Sequence, residues 1–353
     1  MANQHPLLVR ATQEGTPLID GDQVTFLWKG KSAPYLRGDF TGWHEGQALR
    51  FSRLAPGLWS HTLALPVDAY LEYAFFADPD QDERMADTFN PRRAANGIGK
   101  YNHYFYLPER QPSPLTQRRR GILRGSLTHA AVPTRGLIAG KQRRVHLYQP
   151  PAPGPYPLVV VWDGQDFLRR GRLPTILDNL IQDEKIEPLA LVLVESRGSV
   201  RMLEYASNDF CLAFLMECVL PFANQHLDLL DPLENPGACG ILGASMGGLM
   251  ALYTGLRLPG IFGKVLSLSG AFSFPDLDMV VFDLARSARP EGLRVWMNVG
   301  DYDLSFLPES NRRMAALLKE RGFEVHFEAY PAGHNYTAWR DELGKGFKTL
   351  YGR

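Results

Sequence analysis

Position 245 carries a serine in the pattern Gly-x-Ser-x-Gly, between an apolar run and a helix-forming run. The apolar run predicts a strand that ends at Ala244, and the residues after Ser245 predict a helix. A sharp turn from strand to helix holds a serine hydroxyl out at the edge of a sheet, and it leaves little room for a Cβ at Gly243 or Gly247. The pattern predicts a nucleophilic serine; the alternative is a small-residue junction with an incidental serine.

An aspartate and a histidine follow downstream, in the order nucleophile, acid, base. Residues 293–299 predict a buried strand, and the loop after it holds Asp301 and Asp303. We favour Asp303 as the acid because it reaches one step further along the loop, and Asp301 stays the alternative. His334 follows a predicted strand at 324–330 and precedes a predicted helix.

These side-chain types suit cleavage of an acyl bond through a covalent intermediate. A serine hydroxyl is a poor nucleophile near neutral pH, so His334 is predicted to accept its proton and to return it to the leaving alkoxide. A buried carboxylate fixes the imidazole tautomer and stabilises the imidazolium as it forms. His326 lies in the middle of a predicted strand and is expected to have no such role. The three roles fall on loops at the carboxyl ends of strands, where open α/β sheets bind their ligands.

The negative oxygen of the tetrahedral intermediate requires backbone N–H donors. One is predicted to be the N–H of Met246, directly after the nucleophile. The other is predicted on the loop after a strand at 157–163, where Gln165 is the first choice and Asp166 the second. Asp163 and Asp166 are expected to form the turn and to cap the helix. No cofactor and no metal are expected, because no cluster of His, Cys, Asp and Glu has the spacing of a metal site.

Four stretches of the chain carry a family resemblance. They are residues 143–150 (RRVHLYQP), residues 162–166 (WDGQD), residues 243–248 (GASMGG) and Gly333-His334 with Trp339 five residues further on. From about Gly121 to the C-terminus the chain resembles the putative-esterase family of esterase D, enterochelin esterase and the mycolyltransferases, and it is most similar to the enterochelin esterase branch. The resemblance implies an α/β-hydrolase fold, a triad of Ser245, an acid and His334, and hydrolysis of carboxylic esters.

The chain of 353 residues is long enough for two domains. Short β-rich segments at 24–28, 33–37, 58–65 and 71–76 predict a small all-β sandwich. The stretches 36–43 and 87–91 resemble early-set immunoglobulin-like modules. Later residues alternate strands and helices, which predicts an α/β domain with a mostly parallel sheet. We predict a tail at 1–17, an immunoglobulin-like β-sandwich module at 18–108, a linker at 109–120 and an α/β-hydrolase esterase domain at 121–353.

Two tryptophans of the predicted module suggest contact with carbohydrate. Exposed tryptophans stack on sugar rings, and Trp43 and Trp59 could do so here. We favour the alternative that both are core or turn aromatics of the sandwich.

Three side chains near the predicted catalytic edge are candidate substrate contacts. Arg201 and Glu204 follow a strand at 190–194, and Arg201 could bind an anionic or phenolic acyl group. An equally favoured alternative is a surface ion pair between Arg201 and Glu204. Trp339 could line the pocket or pack beneath it. The irregular segment 271–290 is expected to form a flap beside the pocket.

Charge and cysteine content restrict the partners of the chain. Lys plus Arg and Asp plus Glu each number 38, so the formal net charge is zero, and neither nucleic acid nor a membrane is an expected partner. Three cysteines are too few for a disulfide framework. The first residues lack the layout of a secretory signal, so a cytoplasmic location is expected.

We therefore expect a serine carboxylesterase that acts on a bulky soluble ester, either a siderophore trilactone or an aryl or acyl ester of a sugar. One alternative is acyl transfer of the mycolyltransferase type, which kinetics with an added alcohol acceptor would separate from hydrolysis. Another is a carbohydrate-binding protein with a vestigial hydrolase domain, and the intact Ser245, Asp303 and His334 weigh against it.

Overall fold

The computed structural model describes residues 5–44, 46–97, 99–275 and 277–353, which form two compact units. The first unit consists of Met1–Pro112, Gly300–Ser305 and Tyr330–Ala338. The second unit consists of Ser113–Val299, Phe306–Ala329 and Trp339–Arg353. The division after Pro112 falls inside the predicted linker, and the predicted domain limits themselves stay a prediction.

In the first unit, helix α1 (Pro6–Glu14) precedes a series of short, mostly antiparallel strands. The strands are β1 (Leu18–Asp20), β2 (Gln23–Lys29), β3 (Tyr35–Gly38), β4 (Leu49–Arg50), β5 (Ser52–Ala55), β6 (Leu58–Ala64), β7 (Tyr70–Phe76), β8 (Arg84–Met85), β9 (Arg93–Ala95) and β10 (Tyr101–Tyr106). One sheet has the order β1-β2-β6-β5. In a second set of paired strands, β7 pairs antiparallel with β3, β8 and β10, while β4 pairs with β3 and β9 with β10. The four predicted β-rich segments correspond to β2, β3, β6 and β7, so the strand-rich prediction is confirmed.

The two sheets of the first unit share an aromatic core. Phe26 of β2 packs edge-on against Tyr73 of β7 and Phe105 of β10, with ring centroids 4.9 and 5.7 Å apart. Val24 points into the same core, whereas Leu27 packs on the other face of β2 with α1. Successive residues of a strand point to opposite faces, so β2 can bind both the core and the helix.

The second unit is built on a mostly parallel sheet. The strands after the first ten are β11 (Ser126–Pro133), β12 (Gln142–Gln149), β13 (Leu158–Trp162), β14 (Ala190–Val194), β15 (Cys239–Ala244), β16 (Phe262–Leu268), β17 (Ser273–Phe274), β18 (Leu277–Asp278), β19 (Arg294–Tyr302) and β20 (Glu324–Gly333). β17 and β18 form a separate hairpin, and the last residues of β19 and β20, from Gly300 and from Tyr330, belong to the first unit. β13 pairs in parallel with β14 and β15, and the series continues in parallel through β16 to β19. β11 and β12 form an antiparallel edge. β13 and β14 are buried along their whole length, as strands covered on both faces require.

Helices alternate with these strands. They are α2 (Gly164–Arg169), α3 (Leu173–Gln182), α4 (Arg201–Tyr205), α5 (Asp209–Phe214), α6 (Leu220–His226), α7 (Met246–Arg257), α8 (Val281–Ser287), α9 (Leu307–Glu320) and α10 (Tyr336–Tyr351). A π-helical turn, Leu215–Val219, connects α5 to α6. The alternation and the parallel order confirm the predicted α/β-hydrolase architecture. Among the described residues no single helix has the length and hydropathy to cross a membrane. The helical segments 198–205 and 209–226 together have that length and hydropathy, but the chain bends by 100° between them.

Two stretches differ from the prediction. The segment 271–290 is not irregular, because it contains the β17–β18 hairpin and α8, with Asp276 outside the described residues. β19 and β20 also continue beyond their predicted ends. At Gly300 an added Cβ would overlap the Ala332 carbonyl oxygen. The absence of a side chain lets the two backbones approach here, so the strands persist past their apolar runs.

Candidate active site

Ser245 occupies the one-residue turn between β15 and α7. Its φ of 58° and ψ of −122° lie where residues other than glycine are rarely found. Three backbone hydrogen bonds hold this conformation: Ser245 N–H donates to the Leu268 carbonyl at 2.8 Å, and the Ser245 carbonyl accepts from Leu249 at 3.0 Å and from Ala271 at 3.1 Å. Ser245 remains partly exposed between buried neighbours. The predicted turn that presents a serine hydroxyl is therefore present.

The two glycines of the pattern have a steric basis. A Cβ on Gly243 would overlap the backbone of Gly247. A Cβ on Gly247 would lie 3.0 Å from Asp163 Oδ2 and 3.5 Å from Trp162 Cβ. A side chain at position 243 would force the turn apart, and one at position 247 would crowd the end of β13. The Gly-x-Ser-x-Gly spacing is thus required by packing on both sides of the serine.

His334 and Asp303 form a close pair. His334 Nδ1 and Asp303 Oδ1 are 2.5 Å apart, and the Asp303 side chain is fully buried while 24% of the His334 side chain is exposed. The Leu304 N–H donates to the same Oδ1 at 2.8 Å. Asp301 lies on β19 and is exposed. The geometry selects Asp303 over Asp301 as the carboxylate that orients the imidazole.

The two predicted oxyanion donors are first-turn residues of helices. Met246 is the first residue of α7 and Gln165 the second residue of α2, positions whose N–H groups have no acceptor in their own helix. The Gln165 side chain is fixed by Ser196, with hydrogen bonds of 2.8 and 2.9 Å. The N–H of Asp166 already donates to the Asp163 carbonyl at 2.9 Å. Asp166, the second choice, is therefore committed to the turn.

Asp163 does not cap α2 with its side chain, contrary to expectation. Arg201 Nε and Nη2 each donate to its carboxylate at 2.6 Å. The Arg201 guanidinium also stacks on Tyr205, 5.3 Å from the ring centroid. The alternative of a surface pair between Arg201 and Glu204 is therefore wrong. Arg201 as a substrate contact stays a prediction, and 25% of its side chain is exposed.

The Glu204 carboxylate is buried and forms an ion pair with Arg143. The guanidinium donates to both carboxylate oxygens at 2.8 and 2.9 Å, and the Ala139 N–H donates to Oε1 at 3.1 Å. Side-chain exposure is 4% for Arg143 and 7% for Glu204. The geometry corrects the expectation of substrate binding, because these oxygens hold the loop before β12 against α4.

Trp339 packs within the second unit instead of lining an open surface. It is 3% exposed, and its Nε1–H donates to Ser269 Oγ at 2.9 Å. Ser269 has a φ of 47° and donates its N–H to the Asn298 carbonyl at 2.8 Å. Trp339 therefore supports the turn that leaves β16, which corrects its assignment as a substrate contact and agrees with the alternative of packing beneath.

The tryptophans of the first unit have internal partners. Trp43 Nε1 donates to Asp39 Oδ1 at 2.8 Å and lies under the Arg84 guanidinium, while Trp59 Nε1 donates to the Gly30 carbonyl at 3.1 Å. Neither is fully exposed. These contacts support the turn-and-core alternative, and carbohydrate contact finds no support.

Two of the cysteines are buried and are poor nucleophiles. Burial raises the pKa of the Cys211 thiol to about 12 and that of Cys239 to about 11, which disfavours the nucleophilic thiolate. Across the described ranges, no group of three or more His, Cys, Asp or Glu side chains could hold a metal ion.

Comparison with known proteins gives a consistent family. Residues 138–350 match the family model described as "Putative esterase". The iron(III) salmochelin esterase of Escherichia coli O6:H1 is 26% identical over 364 residues, covering 94% of this chain and 88% of that protein. The iron(III) enterobactin esterase of Dickeya dadantii is 29% identical over 59% of this chain, and the match spans about half, 52%, of that relative.

Solved structures share the fold. A ferric enterobactin esterase from Salmonella typhimurium superposes with a TM-score of 0.81 at 22% identity, covering 95% of both chains. A ferulic acid esterase superposes with a TM-score of 0.56 at 17% identity, covering 65% of this chain and 99% of that one. The match with the ferric enterobactin esterase covers the strand-rich part of the chain as well as the α/β part.

Removal of the Glu204 carboxylate should destabilise the protein strongly. Glu204→Ala leaves the Arg143 charge buried without its partner, which costs about 3 kcal/mol or more. Glu324→Ala is the matched control, since it breaks the exposed pair with Arg294, which is worth at most about 1 kcal/mol. Urea unfolding of both variants measures the difference, and equal losses would show that Glu204 is no structural anchor.

Proposed function

Because this chain belongs to the "Putative esterase" family and is a carboxylic ester hydrolase, we propose that it works through an acyl-enzyme intermediate on Ser245. The observation that carries the proposal is the strained backbone of Ser245 between a buried strand and a helix. Such strain persists only where the surrounding structure imposes it, and it is concentrated at functional sites. The close pair of His334 and Asp303 supplies a base and its orienting acid.

The proposed reaction has two stages. His334 accepts the proton of the Ser245 hydroxyl as its oxygen attacks the ester carbonyl carbon, and the N–H groups of Met246 and Gln165 stabilise the oxyanion. The intermediate collapses, and the leaving alkoxide takes the proton from His334. Water, deprotonated by the same imidazole, then attacks the acyl carbon and releases the carboxylic acid and free serine. Asp303 stays ionised and holds the Nδ1–H tautomer throughout.

For the substrate we propose a ferric catecholate trilactone of the enterobactin and salmochelin type. The support is the relationship to the salmochelin esterase, which extends over both parts of the chain, strand-rich and α/β alike. The ferulic acid esterase matches a smaller share of the chain. The alternative substrate is an aryl or acyl ester of a sugar, and the alternative reaction is acyl transfer to an alcohol. The substrate panel below tests both alternatives.

Substitution of Ser245 should abolish turnover. Ser245→Ala is expected to lower kcat by at least about a thousandfold, since loss of a triad nucleophile removes covalent catalysis. A fluorophosphonate should label the wild-type protein at Ser245, as peptide mass spectrometry can show. Ser287→Ala, on the exposed side of α8, is the control and should react normally. Labelling elsewhere, or activity above a tenth of wild type in Ser245→Ala, would reject the nucleophile.

Substituting Asp303 and Asp301 one at a time should show which of them orients the His334 imidazole. Asp303→Asn exchanges an acceptor for an amide that favours the wrong imidazole tautomer, and kcat should fall on the order of ten-thousandfold. Asp301 is an exposed residue two positions before Asp303, so Asp301→Asn should leave kcat near wild type. The comparison uses steady-state kinetics with a p-nitrophenyl ester. Nearly full activity in Asp303→Asn would mean that a Ser–His dyad suffices.

A substrate panel should identify the natural ester class. We expect the highest kcat/KM with ferric catecholate trilactone, compared with feruloyl and acetyl sugars and with short acyl esters. Mass spectrometry should show ring opening with the gain of one water. Added alcohol should not divert the product. A preference for feruloyl sugars, or an acylated alcohol as the main product, would contradict the substrate or the hydrolase proposal respectively.

A further inference from the structure

The loop that carries His334 packs on a buried carboxylate of the first unit. Gly333 lies so close to Asp39 that an added Cβ would overlap the Asp39 carboxylate, and the three atoms nearest to that Cβ all belong to Asp39. Gly333 is not among the residues with positive φ, so an alanine could adopt its backbone conformation. The contact with Asp39, and not the backbone angle, therefore excludes a side chain at position 333.

Asp39 is itself held through both oxygens. Trp43 Nε1 donates to Oδ1 at 2.8 Å, and the backbone N–H of Glu72 donates to Oδ2 at 2.8 Å. Trp43 reaches the carboxylate after a left-handed turn, with φ values of 62° at Gly42 and 54° at Trp43. Asp39 is 4% exposed. Two donors from two elements fix this carboxylate as a rigid surface for its neighbours.

The strand that fixes Asp39 also fixes the histidine loop. Ala332 pairs in parallel with Tyr70 of β7, and Glu72 on the same strand donates to Asp39. The side chains around this strand pairing form one buried hydrophobic cluster, which contains Tyr70, Tyr330, Ala332 and Ala338. β7, Asp39 and the residues on both sides of His334 are therefore one packed group.

Asp39 is also electrostatically coupled to the acid that pairs with His334. Burial raises the pKa of the Asp39 carboxyl well above its usual range, and the negative charges of Glu72 and Asp303 raise it further. The Trp43 and Glu72 N–H donors oppose this rise. The Asp39 carboxyl therefore responds to the charge of the same acid that pairs with His334.

We propose that Asp39 is a positioning residue for catalysis: by filling the space beside the Gly333 Cα, its carboxylate holds the His334 imidazole in line with Asp303. This inference rests on the proposed role of His334 as the base. It gives a residue of the strand-rich N-terminal segment a part in the reaction. It also gives Trp43 a structural role, because its indole N–H helps to fix Asp39.

A double-mutant cycle between the two contacting residues tests the proposal. Asp39→Ala and Gly333→Ala should each lower kcat roughly tenfold to a hundredfold with little change in KM, since a misplacement of about 1 Å at a catalytic group has effects of that order. In the double variant the added methyl group enters the space that the carboxylate vacated, so the loss should be smaller than the product of the two single losses. Single losses that multiply, or single variants at wild-type kcat, would overturn the proposal.

Two further variants guard against loss of folding. Gly333→Ala keeps the Asp39 side chain and its two donors, Trp43 and Glu72, so it still tests the contact if Asp39→Ala does not fold. Asp87→Ala is the matched control, because Asp87 is another buried carboxylate of the first unit and accepts from Thr16 and Tyr73 at 2.7 and 2.6 Å. It should lower stability and leave kcat unchanged. If kcat fell as much in Asp87→Ala as in Asp39→Ala, the effect of Asp39 would be a general structural one and the proposal would be wrong.

Proton NMR distinguishes failure of this proposal from failure of the catalytic assignment. A His334 Nδ1–H that donates across 2.5 Å gives a strongly deshielded resonance. Asp39→Ala and Gly333→Ala should move this resonance upfield or abolish it, and Asp87→Ala should leave it in place. The readout does not depend on turnover, so it stands even if Ser245→Ala proves active. An unchanged resonance in both test variants would refute the positioning role.

Discussion

A buried carboxylate, Asp303, accepts a 2.5 Å hydrogen bond from the His334 imidazole, and the chemistry assigned to this chain requires that the imidazole keep one tautomer. With Nδ1 protonated, Nε2 has the lone pair that a base needs. Complete burial of the carboxylate keeps water from competing for that hydrogen bond. Several close contacts in the structure hold this pair or fix the backbone of Ser245.

Close backbone approaches provide much of that support. Gly243, Gly300 and Gly333 each lie where a Cβ would overlap another group: the Gly247 backbone, the Ala332 carbonyl and the Asp39 carboxylate respectively. Interiors are packed densely enough that one methyl group forces neighbours to move. The catalytic groups are therefore positioned by close contacts between main chain and fixed polar groups, and only in part by their own side-chain partners.

Local patterns were sufficient to predict most of the elements and the three side chains proposed for catalysis. Ser245 and Asp303 each follow an apolar strand, His334 follows an alternating one, and strand-to-helix turns have recognisable spacing. Glu204, Asp163 and Trp339 were misjudged because their partners are remote in sequence: Arg143, Arg201 and Ser269. No local signal indicates such pairs. The same limit hid the contact of Asp39 with Gly333, which depends on the register of Ala332 beside Tyr70.

The tautomer of His334 is the most direct measure of this account. Nitrogen-15 NMR of the imidazole, in wild-type protein near neutral pH, distinguishes a protonated from an unprotonated ring nitrogen. We predict a protonated Nδ1 and an unprotonated Nε2. A ring protonated at Nε2 alone would remove the imidazole N–H that Asp303 accepts and would leave the serine without a base, and it would contradict the mechanism.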